Sequence, residues 1–459
     1  MKCTEVEQVD RDPPIFLSSP PCPSTVSYNL SEWYSSHAPV RMDSESTHPW
    51  QMLPIRRFSP SERSISQRED AEWLHLLGTS ELVGGDVEER GFAPKMILWF
   101  RATDNATGAA FRFQTLFKPG RGSRELLAFH VDRQLGFRKT LPTVAREFEW
   151  TQVAPYDSRS RRHNLAADYL SEKLPNIQAQ CLVLGTLTPV IAVEDTKITL
   201  GMLDSLAPGG SDEPAQMSPT MSKMEHDAIE RSFTKMRTGL IASSTRFSLN
   251  SSALTRDSDV VWTSNGISLT VGEVSDRVIF DNIIGQRDSK TQIFTREISK
   301  GHSVIYLDHE KAFDWIIGCT ESNICLRSWS RLVWPRMCRF SRDTVCKLTR
   351  ALLASSVKQS ANVQTINATL GSGCRSRDSS AGNLVQNLNA GVSASLPRHR
   401  TQAEFLAFGQ RRDDYSRADD QIPDSPDFMF HAIVSQLERI LIDVSQCVTV
   451  FGEGVSLGR

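Results

Sequence analysis

The sequence predicts an α+β chain of two lobes, strand-rich first and mainly helical second, and three observations carry that prediction. The chain has 459 residues, more than a single hydrophobic core usually organises. Its periodic stretches come as strands and a helix first, then mostly helices with a strand pair. Between them run Ser-, Pro- and Gly-rich stretches without periodicity, expected as a disordered N-terminus and inserts.

Residues 1–68 are rich in Pro, Ser and charge and are expected to be disordered or loosely attached. The first lobe is expected over 69–200. "AEWLHLLG" predicts a short helix, and "KMILWFRATDNATGAAFRFQTLFKP" predicts two strands about an Asn/Asp/Gly turn. Leu127, Val131 and Leu135 recur at i, i+4, i+8 and predict a helix over Ser123 to Leu135. "CLVLGTLTPVIAV", residues 181–193, is β-branched between turn residues and reads as strand. Residues 201–260 look like an insert with one helical patch at "HDAIERSFTKM".

The second lobe is expected over 261–357. "SLTVGEVSDRVIFDNIIG" predicts a helix closed by Gly285, "SVIYLD" (303–308) a buried strand, and residues 341–356 another helix. Residues 358–425 are expected as a low-complexity linker, and 426–459 as a C-terminal segment built on one amphipathic helix. No internal repeat is visible.

Composition excludes several functions. A formal net charge of −2 gives no global pull toward nucleic acid or an anionic membrane. The short basic cluster at 158–163 lacks aromatic interleaving and reads as a solvated loop. No segment approaches the roughly 18–20 apolar residues of a membrane span, and the N-terminus lacks the apolar core of a secretory signal. At face value that predicts a soluble intracellular protein. Nine cysteines without a CxxC pair argue against a zinc ribbon or thioredoxin-type site. Five of them (Cys319, Cys325, Cys338, Cys346, Cys374) cluster, which suits disulfides and buried thiols equally. Sequons stand at Asn29, Asn105, Asn250 and Asn367.

The chemistry begins at "FQTLFKPGRGSRELLAFHVDRQLGF". Phosphoryl transfer needs a lysine and metal ions to neutralise nucleotide charge, and a carboxylate to orient the acceptor hydroxyl. The lysine in turn needs an acid to localise its flexible stem. Lys118 at a strand end and Glu125 in the first turn of the next helix could form that pair across the Gly120/Gly122 turn. They could equally be a surface lysine beside a capping glutamate. Further on, Asp288 stands in a polar loop beyond a helix end. Asp308 closes an apolar strand, where a carboxylate is costly without a partner such as a divalent metal. Ordinary turn roles remain open for both.

Taken in order, these segments resemble the four-jointed and Golgi casein-kinase family of secretory-pathway kinases, which includes a xylose kinase. The family's "LFKP", "AEIAAFHLDRILGF" and "VPP" correspond here to "TLFKP", "RELLAFHVDRQLGF" and "LPTVAR". Its "FDFLxGNMDRH" and "IHLDNGRGFG" correspond to "FDNIIGQRDSK" and "IYLDHEKAFD", and "CCRIRKSTYLRL" is echoed by "RMCRFSRDTVCKL". The series spans residues 95–350, about half the chain.

The resemblance implies a two-lobed protein-kinase-like fold using ATP with Mn²⁺ or Mg²⁺. It implies that Lys118 contacts the nucleotide phosphates, Glu125 holds Lys118, Asp288 is the catalytic aspartate and Asp308 binds metal. Gly185 would lie beside the adenine, and Gln292 near a second metal-binding amide. The acceptor would be a hydroxyl of a secreted or extracellular-domain protein, or of a glycan, with a paralogous kinase as a further partner. GxGxxG, HRD and DFG signatures are absent, as in this family. The family's Asp-Arg-His becomes Asp288-Ser289-Lys290, which motivates a pseudokinase scaffold as the alternative. By resemblance the expected location is the Golgi or outside the cell, with an incomplete N-terminus explaining the missing anchor.

Overall fold

The computed structural model describes residues 63–87, 95–103, 108–119, 122–149, 182–191, 193–197, 260–263, 265–286, 292–299, 301–309, 312–313, 339–355, 361–371, 374, 383–398, 401–402, 426–451 and 457. The helical patch expected at 226–236 lies outside them. Two antiparallel sheets, a strand pair and seven α-helices account for these residues, and the architecture is α+β, with a strand-rich first lobe and a mainly helical second.

The first lobe is a five-stranded antiparallel sheet in the order β1-β2-β3-β5-β4. Its strands are β1 (Glu81–Val87), β2 (Met96–Thr103), β3 (Ala110–Pro119), β4 (Val144–Glu149) and β5 (Leu182–Pro189). Along β2 and β3 alternate residues are buried, as period-2 side-chain geometry demands. Phe111, Phe113 and Phe117 therefore share one face of β3, while Leu116 and Lys118 take the other. On the aromatic face Phe100 stacks on Phe113 at 5.6 Å, and Phe117 meets Phe148 edge-on at 5.3 Å.

Helix α1 (Gln67–Thr79) covers that face with Trp73 and Leu77. Its start is a capping box, Ser66 with Glu69, of the kind that stabilises a helix by about 1 kcal/mol. Ile65, in the stretch expected to be disordered, is fully buried in the same cluster, so the packed chain begins slightly before residue 69.

Helix α2 (Ser123–Leu135) follows β3 and joins the second core. Arg133 ties it to α1 through two bonds of 2.7 Å to the Asp70 carboxylate. That second core gathers α3 (Val271–Ile284), α4 (Arg342–Ser355), α5 (Ala361–Ile366), α6 (Leu384–Ala394) and α7 (Pro426–Phe451). A three-stranded antiparallel sheet, β10-β9-β6, and the pair β7-β8 complete it. Their strands are β6 (Glu194–Lys197), β7 (Val260–Trp262), β8 (Ser268–Thr270), β9 (Gln292–Ile298) and β10 (Gly301–Ile305). Helix α3 starts with a Thr270/Glu273 capping box and is closed by Gly285 in left-handed conformation.

Two helices correct the expectation of a featureless linker over 358–425. Helix α5 runs on into a π-helical turn, Asn367–Gly371. Helix α6 buries Leu384, Leu388 and Val392 at i, i+4, i+8, with Asn383 accepting from the Val385 and Gln386 N–H groups. Its Asn- and Ser-rich outer face hid that stripe. Cys346 of α4 and Cys374 are joined in a disulfide, and Cys447 is also disulfide-bonded. Among the described residues no helix is long and apolar enough to cross a membrane.

The lobes are stitched together near α3. Lys139, just beyond α2, donates to Ser303 Oγ at 2.8 Å and to Glu273 Oε1 at 3.4 Å. One turn along α3, Asp276 interacts with Thr344 and Lys139, and burial pushes its carboxyl up to about 7. A parallel bridge pairs Thr140 with Tyr306, and the Tyr306 N–H donates to Lys139 O at 3.1 Å. The segment entering Asp308 is thus pinned to the end of α2.

Candidate functional site

The alternation of β3 aims Lys118 away from the aromatic core, opposite Thr186 of β5. The next described residues turn immediately into α2, whose first turn carries Glu125, where the helix dipole favours a carboxylate. Lys118 Nζ donates to Glu125 Oε1 at 2.6 Å, and both side chains are buried. Asp308 arrives from the other lobe, 190 positions along the chain, with its Oδ1 3.1 Å from the same ammonium. The following residue completes the arrangement: the His309 N–H donates to Glu125 Oε1 at 2.8 Å. Glu125 therefore accepts from a strand lysine and from the backbone of the Asp308 segment at once.

Asp308 itself is left-handed, φ 61°, and its side chain is 55% exposed. Burial pushes its carboxyl up, but the Lys118 ammonium and its hydrogen bond outweigh this and hold it below the ordinary value. It is ionised at neutral pH and half exposed. His309 is fully buried, edge-on to Phe280 at 5.6 Å, and kept neutral by burial and by Arg277 and Lys118. Beneath it Arg277 pairs with Asp281 at 2.9 Å and lies over the Tyr306 ring.

Of the sequence-predicted residues, Glu125 and Asp308 are thus brought within direct bonding distance of the Lys118 ammonium. Asp288 lies outside the described residues. Gln292 opens β9 opposite Lys197, and its side chain is not among those described. Gly185 of β5 pairs with Pro119 of β3. A Cβ there would lie 2.5 Å from the Phe117 ring, so the residue makes room for the aromatic core. Sequence reasoning missed His309 and Gln286, whose side-chain amide donates to the Asp308 carbonyl. Both stand inside the quoted blocks, but neither a backbone N–H nor a loop amide carries a pattern of its own.

The donor set fits a divalent cation of the phosphate-bridging kind. Such ions take one or two carboxylates and complete their shell with phosphate oxygens and water. Asp308 presents one ionised, half-exposed carboxylate beside a lysine. Among the described residues no group of three His, Cys, Asp or Glu forms an all-protein metal cage.

A family model described as FAM198 protein matches residues 54–163, the stretch that contains Lys118 and Glu125. A crystal structure of the Golgi casein kinase is similar at 14% identity and TM-score 0.47, over 85% of this chain and 79% of that one. Hydra Fam20 with sugar is similar at 14% identity and TM-score 0.47, over 87% and 96% respectively. The Golgi casein kinase with Mn/ADP bound gives 14%, 0.45, and 84% and 78%. The likeness to the FAM198 protein model is thus confined to one segment of the chain, residues 54–163.

Proposed function

We propose that the chain is an atypical ATP-dependent kinase that passes the γ-phosphoryl group to a hydroxyl of a secreted protein or a glycan. One observation carries this reading: a buried lysine held between Glu125 at 2.6 Å and Asp308 at 3.1 Å. An ammonium so fixed supplies a point charge for nucleotide phosphates without spending rotamer freedom at binding. Asp308 would hold Mn²⁺ or Mg²⁺, which when bound neutralises charge on the transferred group. Asp288 would orient the acceptor hydroxyl and Gln292 would contribute to a second metal. Gly185 would bear on the adenine only through the packing of β5.

The Cys346–Cys374 disulfide supports an oxidising compartment, and so the secretory pathway, as the place of action. A scaffold role beside a paralogous kinase is the second reading, favoured by Asp288-Ser289-Lys290 where the family has Asp-Arg-His.

The test uses purified protein with Mn²⁺, labelled ATP and an acidic secreted substrate. Label should transfer, and Asp308→Ala should abolish transfer. Nucleotide binding without turnover would replace the kinase by the scaffold. No thermal stabilisation by saturating ATP and metal would remove both.

A further inference from the structure

The backbone that leads toward Asp288 is tied to the backbone that carries Asp308, and one side chain makes the tie. Beyond α3 the Gln286 N–H returns to Asp281 O at 2.9 Å, fixing the direction in which the chain leaves the helix. The Gln286 side chain is 1% exposed. Its amide nitrogen donates to the Asp308 carbonyl, and its amide oxygen is buried with no hydrogen-bond partner among the described residues. The assignment of nitrogen and oxygen is forced, because a carbonyl can only accept. Alongside, the Phe313 N–H donates to Ile284 O at 2.6 Å. Residues 306–309 and 312–313 are thereby clasped to the last turn of α3.

The clasp matters because Asp308 holds a left-handed backbone, φ 61°, which a side-chain-bearing residue adopts only where its surroundings enforce it. Glu125 grips the residue after it, and Gln286 grips its own carbonyl. We propose that Gln286 is a positioning residue for Asp308, fixing the peptide from which the carboxylate reaches metal; this rests on the kinase reading above. A buried amide that merely satisfied a stray carbonyl would affect folding and leave metal affinity alone.

The experiment measures thermal stabilisation of the full chain by ADP, with Mn²⁺ titrated from zero, for wild type, Gln286→Met, Gln286→Glu and Asp308→Ala. Met keeps the length and loses the donor. Its metal-free melting point should fall by no more than the loss of one buried hydrogen bond, and its metal-free ADP response should match wild type, while its Mn²⁺ midpoint rises about tenfold, as for lost supports of metal ligands. Glu should behave like Met at pH 8. At pH 5.5, where a buried carboxyl is protonated and can donate, its midpoint should return toward that of wild type at the same pH. If Met does not fold, the Glu variant at two pH values decides. A Met or Glu midpoint within twofold of wild type at pH 8 overturns the inference and leaves the kinase reading standing. A wild type without any Mn²⁺-dependent increment removes both.

Discussion

Replacing Glu125 should be more damaging than its small size implies. Its Oε1 accepts from Lys118 Nζ at 2.6 Å and from His309 N at 2.8 Å, and both donor residues are buried. Hydrogen bonds to charged groups contribute roughly 1.5–3 kcal/mol each, so Glu125→Ala forfeits about 3–6 kcal/mol before relaxation. Lys118 keeps Asp308 at 3.1 Å, which offsets part of that. The expected loss is about 3–4 kcal/mol, within the range for breaking a buried pair from one side. At about 2–4 °C per kcal/mol for a medium-sized domain, the melting point should fall by about 6–16 °C. Glu125→Gln keeps an acceptor without the charge and should cost about half as much.

The decisive assay is a double-mutant cycle in non-reducing buffer. Asp308→Ala alone leaves Lys118 on Glu125. The double variant takes both carboxylates from the ammonium and should exceed the sum of the singles by about 1 kcal/mol or more. Additive losses, or a Glu125→Ala melting point within 2 °C of wild type, would show that the shared ammonium contributes nothing, and the argument for the site would fail.

Two further outcomes are expected. Asp276 has its carboxyl raised by burial from 3.8 to about 7, so the stability it contributes is full below pH 3.8 and lost as pH rises through 7. Over roughly three pH units that amounts to at most ~4 kcal/mol; paired melts from pH 4.5 to 8 should show Asp276→Asn gaining on wild type as pH rises, and a flat difference would refute this. Gly391 of α6 faces the His130 ring on α2, where a Cβ would lie 2.8 Å from Nδ1. Gly391→Ala should therefore cost ~1–3 kcal/mol by overpacking despite better helix propensity; adding His130→Ala should relieve the clash, and a stabilised single variant would sink the prediction.

How much of this was legible in the chain depended on distance along it. β2, β3 and α2 announced themselves by alternation and i, i+4 spacing, and Lys118 and Glu125 lie seven residues apart across one turn. Their meeting with Asp308 had no local signal; only the ordered resemblance placed it in the same site. β1 went unread because "LVGGD" carries two glycines and a register shift between Leu82 and Gly84 where alternation should run. β4, "VAREFE", looked polar, yet Arg146 lies over the Phe100 and Phe148 rings at 5.2 and 4.9 Å, its stem covering the core. α6 was masked by asparagine and serine, and its stripe of three apolar residues emerges only once α2 and α7 are there to receive it.

Ten of the thirteen residues of α2 are buried, so the helix bearing Glu125 has scarcely any free side. Just beyond α6, Ser395 Oγ lies 2.9 Å from His130 Nε2, and its carbonyl accepts from Ala145 N at 3.2 Å. Swinging this helix outward would expose several large side chains at about 1.5–3 kcal/mol each and pull an anchored neighbour with it. The charge arrangement at the first turn of α2 is therefore a standing fixture of the fold.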